Sequence, residues 1–392
     1  MKLLFYRYGS IAEPDCIEGF QELGFTVLEV GWEIVKKDLT GDQFVKRISE
    51  FLDKNPVQFV FTINFFPLMA EVCHIYKLPY LCWTVDAPVL ELFTDAIRYD
   101  TNRIFVFDRG SMELIKDKNP EHIFHLPLAA NPAKRQELIR KTPESRLRTF
   151  ASPVSFVGSL YTEKNPIERL PRTLSYMEGY FSGILEAQLL VYGAYLLDEL
   201  LPEAIVSEFA EKFPGFFRSP YPGFLTDRFT LANLYLGAKL TVLERDRIVR
   251  RLSEKFDFTL YTGSDASAYQ KAKQGGLVKS LTEMPIVFHE SRINLNTTTR
   301  PIRTGLPLRI FDILSAGGFC LTNWQNELGE ELIPGVHLDT WGSLDELEEK
   351  CAWYLSHEKE RQEIAAEGLR FVSEHCTYAI RLTKMLELAF GL

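Results

Sequence analysis

Asn294-Leu-Asn-Thr-Thr-Thr-Arg-Pro-Ile-Arg-Thr-Gly-Leu-Pro-Leu-Arg-Ile-Phe-Asp-Ile-Leu-Ser-Ala-Gly-Gly318 reads as a strand, a polar loop and a helix in succession. The strand ends at about Asn296. The helix starts near Leu306, with Pro307 at a favoured first-turn position. Gly317 and Gly318 end it and allow close backbone approach. Free N–H groups and the helix dipole make such a start an anion site. Arg303 and Arg309 add bidentate donors suited to phosphate. Asp312 lies three residues beyond Arg309, so both can face one side, where a carboxylate can accept hydrogen bonds from ribose hydroxyls. The same pattern also describes an exposed helix start with an Arg–Asp surface pair.

Working outward, the same strand–helix alternation fills the first 130 residues. Strands are expected at Leu3–Tyr8, Thr26–Val30, Val57–Ile63, Tyr80–Val85, Arg103–Phe107 and His122–Leu126, with helical patterns between them. This is a parallel α/β sheet covered by helices on both faces. A loop-rich stretch from Leu128 to Pro153 marks a domain boundary. Val154–Gly158 opens a second domain, interrupted by a helical insertion at about 165–253. Alternation resumes at Phe258–Thr262, Ile286–Phe288, Arg292–Asn296, Phe319–Thr322 and Val336–Leu338, before helices near Ser343–Leu355, Lys359–Glu374 and Tyr378–Phe390. The expected division is 1–150, 151–375 and a last helix, 376–392. It agrees with the two or three domains that 392 residues suggest at roughly 150 per domain.

Composition narrows the function. Lys plus Arg is 44 and Asp plus Glu is 53, a net charge of −9, which argues against a nucleic-acid footprint. Arg7 interrupts the opening apolar run, which lacks a small-residue cleavage site, and no stretch is long and apolar enough to span a bilayer. A cytoplasmic protein without a transmembrane segment is expected. The 6 cysteines show no CxxC and read as reduced, mostly buried thiols. His122 and His125 fall on opposite sides of a strand and read as structural. Aromatic residues make up 13%, gathered in strands and in the insertion. There, Phe213–Phe217 and Tyr221–Phe224 read as helix-packing core, or as an acceptor or partner surface.

In open α/β sheets ligands bind beyond the carboxyl ends of strands. That filter selects Tyr8, Gly9 and Ser10 after the first strand, and Trp83 and Asp86 after the fourth. In the second domain it selects Gly158 and Ser159, Thr262 and Gly263, and Asn296 with the Arg303–Gly305 loop. Asp86 before Ala-Pro reads either as a general base toward an acceptor hydroxyl or as a helix N-cap. No Gly-x-Gly-x-x-Gly follows the first strand and no Walker A loop is present. There is no Asp-x-Asp either, the pair that metal-dependent sugar transferases use on a diphosphate.

Trp83-Thr-Val-Asp-Ala-Pro88, Asn102-Arg-Ile-Phe-Val-Phe-Asp108, Leu126-Pro-Leu128, Phe156-Val-Gly-Ser159, Ile293-Asn-Leu-Asn296, Arg309–Gly318 and Arg361-Gln-Glu-Ile-Ala-Ala-Glu-Gly368 resemble one group. It is the bacterial GT-B glycosyltransferases of the spore-maturation, CgeB-like type, with an uncharacterised N-terminal domain and a group-1-like C-terminal transferase domain. The resemblance implies two Rossmann-like domains facing a cleft, the last helix crossing back to the first domain, and a nucleotide-sugar on the second. Asp312 falls at the second acid of the family's Glu-x7-Glu pattern. The first falls at Thr304, which is not acidic.

The expected activity is transfer of a sugar from a nucleoside diphosphate sugar, a UDP-sugar first, to an unknown acceptor without a metal ion. Asp86 and Arg309 are the expected catalytic residues. Gly158, Ser159, Thr262, Gly263, Asn296, Arg303, Thr304, Gly305, Asp312 and Gly317 form the expected donor site, and Tyr8, Gly9, Ser10 and Trp83 the acceptor side. The alternatives are a nucleotide-sugar epimerase and a non-catalytic sugar- or protein-binding module.

Overall fold

A computed structural model describes residues 1–35 and 40–391. The chain forms two compact units. The first gathers Met1–Ala129, Ser219–Leu225 and Cys376–Leu392; the second gathers Ala130–Arg218 and Thr226–His375. The chain therefore enters the second unit well before residue 150. The reason is the helix Pro132–Lys141, which packs on the helices Met284–Glu290 and Leu308–Ser315 of that unit.

The first unit holds β1 (Lys2–Tyr6), β2 (Thr26–Val30), β3 (Phe59–Ile63), β4 (Tyr80–Trp83), β5 (Asn102–Val106) and β6 (Ile123–His125). They form one parallel sheet in the order β2-β1-β3-β4-β5-β6. Leu3 pairs with Phe59 and Val60 with Tyr80. Every residue of β3 and β4 is buried, as expected of a parallel sheet covered on both faces. Phe5, Phe20 and Phe61 pack with centroids 5.0 Å apart in each pair to Phe61. The last helix, Tyr378–Phe390, lies against Glu13–Glu22, and Gly19 makes this possible: a Cβ there would meet Leu382 at 2.9 Å.

The second unit holds β7 (Ser152–Val157), β8 (Phe258–Tyr261), β9 (Lys273–Gln274), β10 (Ser291–Asn296), β11 (Cys320–Asn323) and β12 (Asp339–Trp341). They are parallel in the order β12-β11-β10-β7-β8-β9. Two expectations are corrected. Ile286–Phe288 lies in the helix Met284–Glu290, with Pro285 in its first turn; a short apolar run does not separate buried helix from buried strand. Val336–Leu338 is not a strand, because Gly335 turns the chain at φ +79° and the strand begins only at Asp339.

Between β7 and β8 the insertion builds its own core. Phe181, Phe209, Phe216, Leu231 and Tyr235 are buried in it, and Phe216 stacks on Tyr235 at 5.3 Å. The Phe213–Phe217 cluster is thus packing core. A π-helical turn, Thr230–Leu236, leads into the helix Gly237–Lys255. All six cysteines are buried, and among the described residues none is in a disulfide. Among the described residues no helix is long and apolar enough to cross a membrane.

Candidate active site

At the carboxyl end of the first sheet lies a cavity of about 500 Å³, lined by Tyr8, Asn64, Phe65, Phe66, Asp86, Glu91 and Tyr221 among others. Asn64, which the sequence reading missed, organises it. It follows β3 with φ 58°, the left-handed conformation that Asn tolerates better than most residues. Its side chain accepts from the Val85 N–H at 3.0 Å and donates to the Tyr8 hydroxyl at 2.9 Å and to the Asp86 carboxylate at 2.7 Å. Asp86 is therefore held by an amide beside the cavity and caps no helix; the next helical turn begins at Leu90. Burial, with the Asp86 charge adding to it, raises the Tyr8 phenol well above its ordinary value, so it stays protonated.

The fully buried Glu13 carboxylate accepts the N–H groups of Tyr8 and Gly9 at 2.8 and 3.0 Å. Gly9 has φ +99°, and the Ser10 carbonyl accepts the Glu13 N–H at 3.2 Å, so the loop after β1 is fixed by its own helix. Trp83 is a correction. It is buried in the core, donates to the Leu126 carbonyl at 3.1 Å and packs edge-on against Tyr378, so it presents no face to a ligand.

In the second unit, the loops after β7 and β8 are joined: the Leu160 N–H donates to Ser264 Oγ at 2.8 Å, and the Ser264 N–H to Thr262 Oγ1 at 3.0 Å. Gly158, Ser159, Thr262 and Gly263 are thereby gathered. Ser159 also donates to Glu163 at 2.7 Å. Desolvation pushes the Glu163 carboxyl up. Hydrogen bonds from Ser159, its own N–H, Ser264 and Thr162 outweigh that and hold it at about 2.

Arg245, in the long helix Gly237–Lys255, sits beneath these loops and escaped the sequence reading. Its guanidinium donates to Ser159 O, to Thr297 Oγ1 at 3.1 Å and to Thr297 O at 2.9 Å, and lies 4.7 Å from the Tyr161 ring. Among the described residues no carboxylate lies within ion-pair distance of it. Burial, with the charge of nearby Arg309, lowers it to about 10 against the opposing pull of Tyr161, Glu244 and Glu163. A buried cation without a counter-ion is costly, and an incoming anion relieves that cost.

Arg309 lies in the first turn of Leu308–Ser315, against Met284 and over the Phe288 ring at 5.3 Å. Its guanidinium is 3.8 Å from the Asp312 carboxylate, so the two do share a face. Burial lowers it, with Asp312 opposing.

The other arginines of this loop are engaged elsewhere. Arg300 makes a buried two-point contact to Glu244, at 2.8 and 3.2 Å, and stacks on Tyr192. Arg303 is paired with Asp198 of the insertion and stacks on Tyr195, which turns the expected phosphate donor into a tether. Thr304 donates to Glu327 at 2.7 Å, so a carboxylate from the segment after β11 stands at the position lacking an acid; the Gly305 carbonyl accepts from Gln325 at 3.0 Å.

Asn296 is buried and spends its amide on Thr298 and Thr322, and Gly317 ends the helix at φ +73°. Gly317 is about 12 Å along the helix from the Arg309 turn at the usual rise, at the other end of the helix. His122 and His125 bond to Asn119 and to the Phe107 carbonyl, as structural histidines do.

Comparison with known proteins fits this architecture. Residues 245–387 match a family described as glycosyl transferase-like. Among curated proteins none matches the sequence. The fold is similar over 100% of this chain to Anabaena HepE in complex with UDP-glucose (11% identity, all of that chain, TM-score 0.58). It is similar likewise to sucrose-phosphate synthase of Thermosynechococcus elongatus (9% identity, 99% of that chain, TM-score 0.57) and to a Rickettsia africae glycosyltransferase (11% identity, 98% of that chain, TM-score 0.54). Taken together, the fold is the GT-B architecture of these glycosyltransferases, and its second unit carries most of a glycosyl transferase-like stretch of sequence.

Proposed function

We propose that the protein transfers a sugar from a nucleoside diphosphate sugar, UDP-linked in the first instance, to a hydroxyl acceptor without a metal ion. The observation that carries this reading is Arg245, a buried guanidinium with no carboxylate partner beside a second guanidinium, Arg309, under the loops after β7 and β8. UDP-glucose bound to HepE supports the choice of nucleotide.

In this reading Arg245, Arg309 and the N–H groups opening Leu308–Ser315 hold the diphosphate. Asp312 accepts from the ribose. The acceptor oxygen attacks the anomeric carbon as the bond from that carbon to the diphosphate oxygen breaks. The diphosphate leaves with the electron pair, its growing charge met by preorganised donors. Asp86, already oriented by Asn64, takes the acceptor proton.

Calorimetry with UDP, GDP and TDP tests the donor half. UDP binds the wild type, Arg245→Met loses about a hundredfold in affinity, and Arg309→Ala and Asp312→Ala each lose about tenfold. Unchanged UDP affinity in all three variants overturns the assignment.

A further inference from the structure

The cavity of the first unit is completed by a piece of chain from far away in sequence. Ser219-Pro-Tyr-Pro-Gly-Phe-Leu225 leaves the insertion, joins the first unit and returns. Its backbone is pinned to the stretch after Glu91. Gly223 pairs antiparallel with Thr94, the Asp95 N–H donates to Pro222 O at 2.8 Å, and the Phe224 N–H donates to Phe93 O at 2.9 Å. A Cβ at Gly223 would stand 2.2 Å from the Phe93 carbonyl, so only glycine permits this approach. Phe224 packs on Phe93 at 5.6 Å under the cations of Arg98 and Lys118. Prolines on either side of Tyr221 stiffen the strap, and Tyr221 lines the cavity.

The lining has a definite chemistry. Tyr8, Phe44, Phe66 and Tyr221 bring aromatic rings, and among the described lining residues the charged groups are the carboxylates of Asp86 and Glu91. Aromatic rings pack against the C–H faces of a sugar ring, and carboxylates accept from its hydroxyls. Two carboxylates repel a phosphate or a second carboxylate. A volume of about 500 Å³ suits a small-molecule ligand.

We propose that this cavity is the acceptor site and takes an uncharged sugar ring, and that the strap selects it through Tyr221. The inference rests on the glycosyltransferase reading and deepens it. The selectivity comes from the fit of one face of the ring to Tyr221 and from hydroxyls reaching Asp86 and Glu91, with phosphorylated or carboxylated sugars excluded by charge.

The test uses the full chain and ligand-observed NMR. The probes are the methyl glycosides of glucose, galactose and mannose, compared with glucose 6-phosphate and glucuronic acid, and UDP binding is measured in parallel. At least one methyl glycoside binds and the two anions do not. Tyr221→Ala weakens that glycoside about five- to tenfold and leaves UDP affinity unchanged, while Tyr221→Phe keeps most of the binding. Asp86→Asn narrows the gap between neutral and anionic sugars. Preferential binding of an anionic sugar by the wild type overturns the inference, as does a Tyr221→Ala variant whose glycoside affinity is intact. Failure of UDP to bind the wild type counts instead against the donor reading, so the two failures are told apart.

Discussion

The carboxyl ends of the two sheets are built to the same plan and lined with opposite charge. In the first unit Asn64 presents a carboxylate, Asp86, among aromatic rings. In the second, Ser159 and Thr297 present a guanidinium, Arg245, with Arg309 close enough to depress it. Both groups are oriented by uncharged partners, so each keeps its charge for something else. Arg300 and Arg303 show the other use of the same residue type. They are matched to Glu244 and Asp198 and hold a loop in place. Arg309, 3.8 Å from the Asp312 carboxylate, stands between these two cases.

That contrast can be broken most severely at Asp86. Asp86→Asn lowers kcat for sugar transfer by about 10²- to 10⁴-fold and leaves UDP affinity as it was; steady-state kinetics beside calorimetry checks it. Loss of UDP binding in this variant would remove the division of labour between the units.

A smaller effect is expected at Arg303. Arg303→Met leaves the Asp198 carboxylate with the Asn233 amide but no cation and lowers stability by about 1–3 kcal/mol in denaturant unfolding, with little change in UDP affinity. An Arg303→Met chain of full stability that no longer binds UDP would move Arg303 to the ligand side.

The smallest effect concerns acid. Glu163, held at about 2 in the folded chain against an ordinary 4.5, contributes stability that is fully present above 4.5 and is lost as pH falls from 4.5 towards 2. Glu163→Gln flattens that part of the stability–pH curve and leaves neutral pH nearly unchanged. An unaltered acid limb would show that the Ser159–Glu163 contact is not maintained in solution.

Much of the fold was legible because a parallel sheet buries both faces of its strands. Phe59–Ile63 and Tyr80–Trp83 are nearly unbroken apolar runs buried on both faces, whereas the edge strands Thr26–Val30 and Ile123–His125 are only partly buried and show as short runs between helical patterns. The same rule misled at Ile286–Phe288, where a buried helix shows the same run. The loops after strands were legible from the position of their glycines, and the Arg309–Asp312 pair from helical spacing. Arg245 and Asn64 were not. Arg245 lies among Glu244, Asp246 and Arg247 on a charged helix, and its partners are 52 and 86 residues away. The value of Asn64 lies in a backbone angle and three contacts, none of them visible in composition. Trp83 was misplaced because proximity to a strand end does not say which way the ring turns.

The division of the chain has a consequence for how the protein is made. The second unit is nearly continuous, Ala130–His375 with one short excursion, whereas the first is assembled from three separated pieces, the last beginning at Cys376. Synthesis runs from the N-terminus, and domains generally fold as units. The unit that leaves the ribosome first is therefore finished last. Until Tyr378–Phe390 emerges, the Gly19 face of the first helix has nothing to close against.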